Sequence, residues 1–340
     1  MTKRVLVVGF GSIGRRHLRI LRQLIPDADI RVLRHSNSVL PEYADGVFTH
    51  IEDALAFGPH FAVIANPAPM HLQSCLMLAA AGVDLLVEKP LSAEIAGVAN
   101  LLRFCRERGC ILQVAYNLRF APSLAHFRDL VCHGAVGRVI SVRCEIGQYL
   151  PNWRPTIDYR DSVSARRELG GGVLLELSHE IDYLRWIFGE FVWVQATLMR
   201  QSDLEVDVED SAHLILGFEA DADGRQLIAR LDMDFIRHDT SRTCVAIGEG
   251  GTLRWDGISG RVERLGVGQR SWNLLFQHIP QPDEPYVAEW RHFLGCVETR
   301  SEPLVNGYDG LSVLTIIDAA RRAHTSTSRV FITPNGGSET

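Results

Sequence analysis

Residues 4–14 read RVLVVGFGSIG. A short apolar run, residues 4–9, leads straight into Gly9-Phe10-Gly11-Ser12-Ile13-Gly14, which fits G-x-G-x-x-G. Residues 13–24 follow with helical spacing: Ile13, Leu18, Leu21 and Leu24 share one broad face, and Arg15, Arg16 and Arg22 are left for water. With 29 glycines in 340 residues the pattern alone is weak, but between a strand and a helix it has the context it requires. Gly9 then permits the tight turn, Gly11 lets backbone approach a pyrophosphate, and Gly14 brings helix against strand. The helix N-terminus adds N–H groups and a partial positive charge. Gly9, Phe10, Gly11, Ser12, Ile13 and Gly14 are therefore expected to hold a dinucleotide.

Outward from this loop the apolar runs continue at residues 30–33, 61–65, 83–88 and 110–116, with helical stretches at 71–81 and 93–108. Apolar strands separated by helices imply a parallel sheet covered on both faces, a doubly wound fold that closes near residue 119. The remainder differs. Residues 138–148 alternate, with Ile140, Val142, Cys144 and Ile146 on one face and Ser141, Arg143 and Glu145 on the other. Similar runs occur at 191–199, 212–218, 226–234 and 243–255, with helical stretches at 122–133, 174–188 and 311–324. The expectation is an α/β chain: an N-terminal Rossmann domain over 1–119, then an α+β domain over 120–333 with a mainly antiparallel, open-faced sheet. Residues 334–340 read as a frayed tail.

Apolar residues make up 46% and charged residues 22%, which excludes a mainly disordered chain. A net charge of -6 without a basic stripe gives no footprint for nucleic acid. No apolar run approaches the ~18 residues of a membrane span. Residues 5–8 are too short an apolar run for a signal peptide. The seven cysteines are scattered without a C-x-x-C pair, as reduced thiols would be, and point to no disulfide framework or metal site. A cytoplasmic protein is expected.

The choice of dinucleotide rests on the end of the second strand, where NAD-binding loops usually carry an acid about twenty residues past the glycines. Residues 32–37 read VLRHSN, with no carboxylate, and Asp27 and Asp29 come too early. Arg34, His35 and Ser36 stand there instead, and Arg34 with Ser36 suits a 2′-phosphate. NADP is favoured, with NAD as the alternative. The competing reading of Arg34 is a solvated charge at a strand end.

Residues 83–92 read VDLLVEKPLS, so Glu88-Lys89-Pro90 stands at the carboxyl end of an expected strand, where open α/β sheets bind ligands. Together with IANPAPMH (64–71), YNLRF (116–120) and GGGVLLELSHEID (170–182), the glycine loop and E-K-P resemble the glucose–fructose oxidoreductase / inositol dehydrogenase (Gfo/Idh/MocA) family over nearly the whole chain. The resemblance implies Lys89 as catalytic proton carrier and His179 as the contact to the reacting hydroxyl. It sets Asn66, Pro67 and His71 along the cofactor, Glu88 and Asn117 near the nicotinamide, and a cis bond before Pro90. Hydride transfer from an alcohol carbon requires the hydroxyl proton to leave, and a lysine takes such a proton when burial and nearby positive charge lower its pKa. The chain departs from the family at Leu175, where an Asp is common. Glu176 is the nearest preceding carboxylate, three residues before His179 and so its neighbour on a continuous helix, or else a surface glutamate. Asp182 matches the final Asp of the block, as a catalytic residue or as one half of a structural pair.

Residues 148–167, rich in Trp, Tyr and Arg, read as a binding loop. Tyr149, Trp153 and Tyr159 suit stacking on a sugar or base, and Arg154, Arg160 and Arg166 suit a phosphate or carboxylate, with Arg119 in reach of the same substrate. An Arg-rich solvated loop is the alternative. The function expected is an NAD(P)-dependent oxidoreductase acting on a hydroxyl or ketone of a sugar, sugar nucleotide or polyol. Such proteins pair through the open sheet face, so a homodimer or homotetramer is expected. The rivals are a redox-neutral glycosidase or sugar–sugar oxidoreductase with retained cofactor, and a non-catalytic dinucleotide-binding regulator.

Overall fold

A computed structural model describes residues 2–36, 39–154 and 157–333. The chain first runs β1 (Arg4–Val8), α1 (Ser12–Leu24), β2 (Asp29–Leu33), β3 (Gly46–Phe48), α2 (Ile51–Ala56), β4 (Phe61–Ile64), α3 (His71–Ala80), β5 (Asp84–Val87), α4 (Val98–Arg108) and β6 (Leu112–Val114). These strands form one parallel sheet in the order β3-β2-β1-β4-β5-β6. Every residue of β4 and β5 is buried, which is why those runs are almost continuously apolar. The strand order reverses at β1, flanked by β2 and β4, so the first glycine loop opens at a topological switch point. β3 and α2 were not anticipated, since three half-buried residues and a six-residue helix carry too little periodic signal.

The chain continues with α5 (Pro122–Cys132), β7 (Val139–Gly147), α6 (Val173–Glu176), α7 (His179–Phe188), β8 (Phe191–Met199), β9 (Ser211–Ala220), β10 (Gln226–Asp234), β11 (Ser241–Gly248), β12 (Gly251–Asp256), β13 (Arg261–Gly266) and β14 (Asn273–Gln277). It ends with α8 (Glu284–Thr299), α9 (Gly307–Ser326) and β15 (Val330–Phe331). The nine strands of the second sheet lie in the order β14-β13-β12-β11-β7-β10-β9-β8-β15, antiparallel except for the parallel pair β7–β10. On β7 the inward set Val142, Cys144 and Ile146 is buried and Arg143 is exposed, as the alternation requires.

Two expected elements are divided. Residues 243–255 form a hairpin, because Gly248 pairs with Gly251 across a turn and Gly251 has φ +139°, which only glycine adopts readily. Residues 174–188 are two helices, interrupted at Leu177 (φ −101°, ψ 26°).

The compact units also differ from a single cut at 119. Residues 1–116 join with 286–314, and residues 117–285 join with the segment from 315 onward. The cause is α8, whose Trp290 and Phe293 are wholly buried in the first core beside Phe61, Val63 and Leu86. Phe61 and Phe293 meet edge to face at 5.9 Å. Just beyond α8, Arg300 forks onto buried Asp84 at the start of β5, at 2.6 and 3.0 Å. The expected tail, 334–340, lies outside the described residues. Among the described residues no helix is long and apolar enough to cross a membrane.

Removing the Phe293 ring should therefore unfold the first unit more easily although it lies far away in sequence. Phe293→Ala is expected to cost about 3–5 kcal/mol, measured by urea denaturation.

Candidate active site

Three turns leave the carboxyl edge of the parallel sheet, after β1, β4 and β5. At the first, Gly9 (φ +95°) lies so close to the second that a Cβ would stand 2.5 Å from the Asn66 nitrogen. A Cβ at Gly14 would stand 2.3 Å from the Gly9 oxygen. Around Gly11 nothing lies within 4 Å of the same construction. Packing demands the first and third glycines; the second leaves the open approach that a pyrophosphate needs. The N-terminus of α1 has no side-chain cap and no acid in its first turn, so its N–H groups suit an anion. The Gly9 N–H donates to the Leu33 carbonyl (2.9 Å), which brings the end of β2 alongside. There the Arg34 guanidinium lies 5.4 Å from the Phe10 ring centre and donates to the Val39 carbonyl, and Arg15 lies 5.0 Å from the same ring. His35 and Ser36 follow, both exposed.

Asn66 and Pro67 open the second turn, and the Asn66 amide donates to Ser74 Oγ (3.1 Å). His71 is buried, with Nε2 2.8 Å from the Asn66 carbonyl and Nδ1 3.0 Å from the Pro90 carbonyl. Burial holds its pKa below the ordinary histidine value against these carbonyls, so the neutral ring donates to one and touches the other. It thereby ties the second turn to the third.

The third turn is Glu88-Lys89-Pro90, with the expected cis bond between Lys89 and Pro90. Glu88 is buried, and its Oε1 meets His17 Nε2 of α1 at 2.7 Å. Its Oε2 accepts from the Lys89 N–H (3.2 Å), and His17 Nδ1 accepts from Trp290 Nε1 (2.8 Å). His17 and Trp290 escaped the sequence reading, because a histidine on the inner face of a helix and a tryptophan near the far end of the chain look like core. Glu289, beside Trp290, is wholly buried and neither of its oxygens has a hydrogen-bond partner among the described residues. One compositional signal also went unread: of the 35 lysines and arginines, only Lys3 and Lys89 are lysine.

In the second unit His179 opens α7. The rest of this helix is locked down. Glu180 accepts from Arg242 of β11 (2.9 Å), and the Tyr183 hydroxyl meets Cys144 Sγ of β7 (2.9 Å). Asp182 receives a two-pronged bond from Arg119, at 2.6 and 2.9 Å, with both side chains buried. Arg119 and Asp182, read as substrate-binding and catalytic candidates, are thus committed to each other. Asn117 is buried two residues before Arg119. Glu176 ends α6, and the helix break at Leu177 lies between it and His179. Its Oε2 accepts from Ser164 Oγ (3.0 Å). The glycine block serves this packing: a Cβ at Gly171 would strike the Val163 and Ser164 carbonyls, and at Gly172 (φ +103°) the Glu209 carboxylate.

The aromatic loop is only partly available to a ligand. Arg160 is exposed and engages Asp158 and Glu205, an arrangement that draws the Asp158 pKa down to about 2. Tyr149 stacks on His238 (4.3 Å), and the Tyr159 hydroxyl accepts from the Glu205 N–H. Trp153, Arg154, Ile157 and Tyr159 line a pocket with Ser162 and Ser164. Arg154 has no ion-pair partner among the described residues. Nor do these residues contain a His/Cys/Asp/Glu group that would hold a metal.

A profile described as an oxidoreductase family with an NAD-binding Rossmann fold matches residues 3–116, and one described as the GFO/IDH/MocA C-terminal domain matches residues 124–254. Among curated proteins, an inositol 2-dehydrogenase of Streptomyces avermitilis is 28% identical over 55% of the chain, a match that spans about half (53%) of that enzyme. A myo-inositol 2-dehydrogenase of Thermotoga maritima is 23% identical over 94% of the chain and 96% of its own length. Among solved structures, GenD2 from gentamicin A biosynthesis, in complex with NAD, superposes with a TM-score of 0.81 at 26% identity, covering 98% of this chain and 97% of that one.

Asp182→Ala leaves a buried guanidinium without its counter-charge and is expected to cost about 3–5 kcal/mol in chemical denaturation. Glu289 supplies a pH signature. Burial, then the charge on Glu88, push its pKa well above the ordinary carboxylate value, so the folded chain keeps a proton that the unfolded chain releases. Stability then falls as pH rises from the ordinary carboxylate pKa toward the raised one. Glu289→Gln should flatten that slope, so its melting temperature gains on the wild type at pH 8 and not at pH 4.

Proposed function

The chain belongs to the Gfo/Idh/MocA oxidoreductase family, and we propose that it transfers a hydride between a nicotinamide and a hydroxyl or ketone of a sugar, sugar nucleotide or polyol, with NADP preferred over NAD. In this reading Lys89 moves the hydroxyl proton and His179 hydrogen-bonds the reacting oxygen. The observation that carries it is the lysine at position 89. This chain uses arginine at nearly every basic position, yet arginine cannot give up its proton and lysine can. The lysine stands on a turn held from two sides at the edge where doubly wound sheets bind ligands. Bound nicotinamide would supply the hydride acceptor; the protein's part is to seat it and manage the proton.

The open approach at Gly11 and the uncapped start of α1 suit the pyrophosphate. Arg34 and Arg15 beside Phe10, with no acid directly after β2, favour the 2′-phosphate of NADP. Arg154 among Trp153 and Tyr159 favours a substrate with an anionic group, as in a sugar nucleotide. Exposed Ile215, in register with Arg230 and Arg143 on the open face of the second sheet, supports pairing of two copies there.

The test is absorbance of reduced nicotinamide after mixing the protein and either dinucleotide with polyols, free sugars and nucleotide sugars. Reduction with one class is expected, faster with NADP. Lys89→Ala should lower kcat by roughly 10²–10⁴-fold. Undiminished turnover by that variant would overturn the catalytic assignment.

A further inference from the structure

We propose that His17 and Trp290 are positioning residues for Lys89, acting through Glu88. The proposal rests on the reading of Lys89 as proton carrier. Indole nitrogen only donates, so with Trp290 Nε1 2.8 Å away, His17 Nδ1 must accept. The ring proton of neutral His17 then sits on Nε2, which donates to Glu88 Oε1 at 2.7 Å. Glu88 Oε2 takes the Lys89 N–H. The line runs from the helix near the end of the chain, through the helix after the glycine loop, to the backbone from which the lysine projects. His17 is wholly buried and held edge-on by Trp290 and Tyr286, with ring centres 5.7 and 6.0 Å away, so no solvent replaces a lost partner. His71 holds Pro90 from the other side.

The same line decides where charge resides. Two carboxyl groups, Glu88 and Glu289, are buried in this region with His17, Tyr286 and Arg16 about them, Arg16 stacked on the Tyr286 ring at 4.8 Å. A neighbouring carboxylate and burial both oppose ionisation of Glu289. Glu88 accepts two hydrogen bonds and Glu289 none, so the two carboxyl groups are unequal, and burial leaves Glu289 the one that keeps its proton. Without the His17 donor that division loses its cause, and both the place and the charge environment of the lysine change.

Lys3 is the only other lysine, so the lysine itself reports without any known substrate. The cofactor-free protein would be treated with an amine acetylating reagent across pH, and the rates at Lys89 and Lys3 read by mass spectrometry. His17→Leu removes donor and acceptor; the rate at Lys89 relative to Lys3 should rise about fivefold or more, with a displaced pH midpoint. Trp290→Phe, which keeps a ring and loses the N–H, should move it the same way by less. His17→Gln, whose amide both donates and accepts, should restore wild-type labelling. Once a substrate is known, His17→Leu should lower kcat about 10–100-fold with little change in KM. The proposal falls if folded His17→Leu labels like the wild type, or if Leu and Gln at position 17 perturb Lys89 equally. If Lys89→Ala is inactive and labelling ignores His17, only the positioning role fails. If Lys89→Ala is fully active, the catalytic reading and this one fail together.

Discussion

Close approach of three turns at one edge of the parallel sheet is the constraint on which the first unit depends. A parallel ladder satisfies its backbone groups along its length, and the chain must turn where the ladder stops. Here the turns after β1, β4 and β5 touch one another. Gly9 lies against Asn66 with no room for a Cβ, His71 spans from Asn66 to Pro90, and His17 reaches across to Glu88. The glycine loop, the Asn66 turn and the E-K-P turn are consequently held by shared partners, and a shift in one turn moves the others.

In the second unit the corresponding constraint falls on a helix. α7 is fastened to the sheet by Glu180 on Arg242 and Tyr183 on Cys144, and to the segment before α5 by Asp182 on Arg119. His179 at its start inherits that rigidity. The glycines before it have a packing purpose, since Gly171 and Gly172 admit the Val163–Ser164 carbonyls and Glu209 at distances no side chain allows. Motif residues of this kind carry no chemistry themselves but determine where the histidine stands.

Much of this was legible in the residues. The dinucleotide loop, five of the six parallel strands, the alternating second sheet and the E-K-P turn all follow from local periodicity and local motifs. What the residues alone left open shares a cause. Arg119 and Asp182 look like site residues singly, and only their meeting across 63 positions shows a structural pair. Glu176 neighbours His179 on an ideal helix, but the chain breaks the helix between them. Arg160 reads as a ligand contact until Asp158 and Glu205 are seen on it.

By itself the sequence determined the class of each sheet and the places of the glycine loop and the E-K-P turn, because period, glycine placement and short motifs are local properties of the chain. The tertiary structure alone decided that α8 completes the first core, that Trp290 donates to His17, and that Glu88 rather than Glu289 finds hydrogen-bond donors in the buried region. Those depend on which groups meet after distant segments pack, and on the solvent they exclude when they do; neither is encoded in any short window of residues.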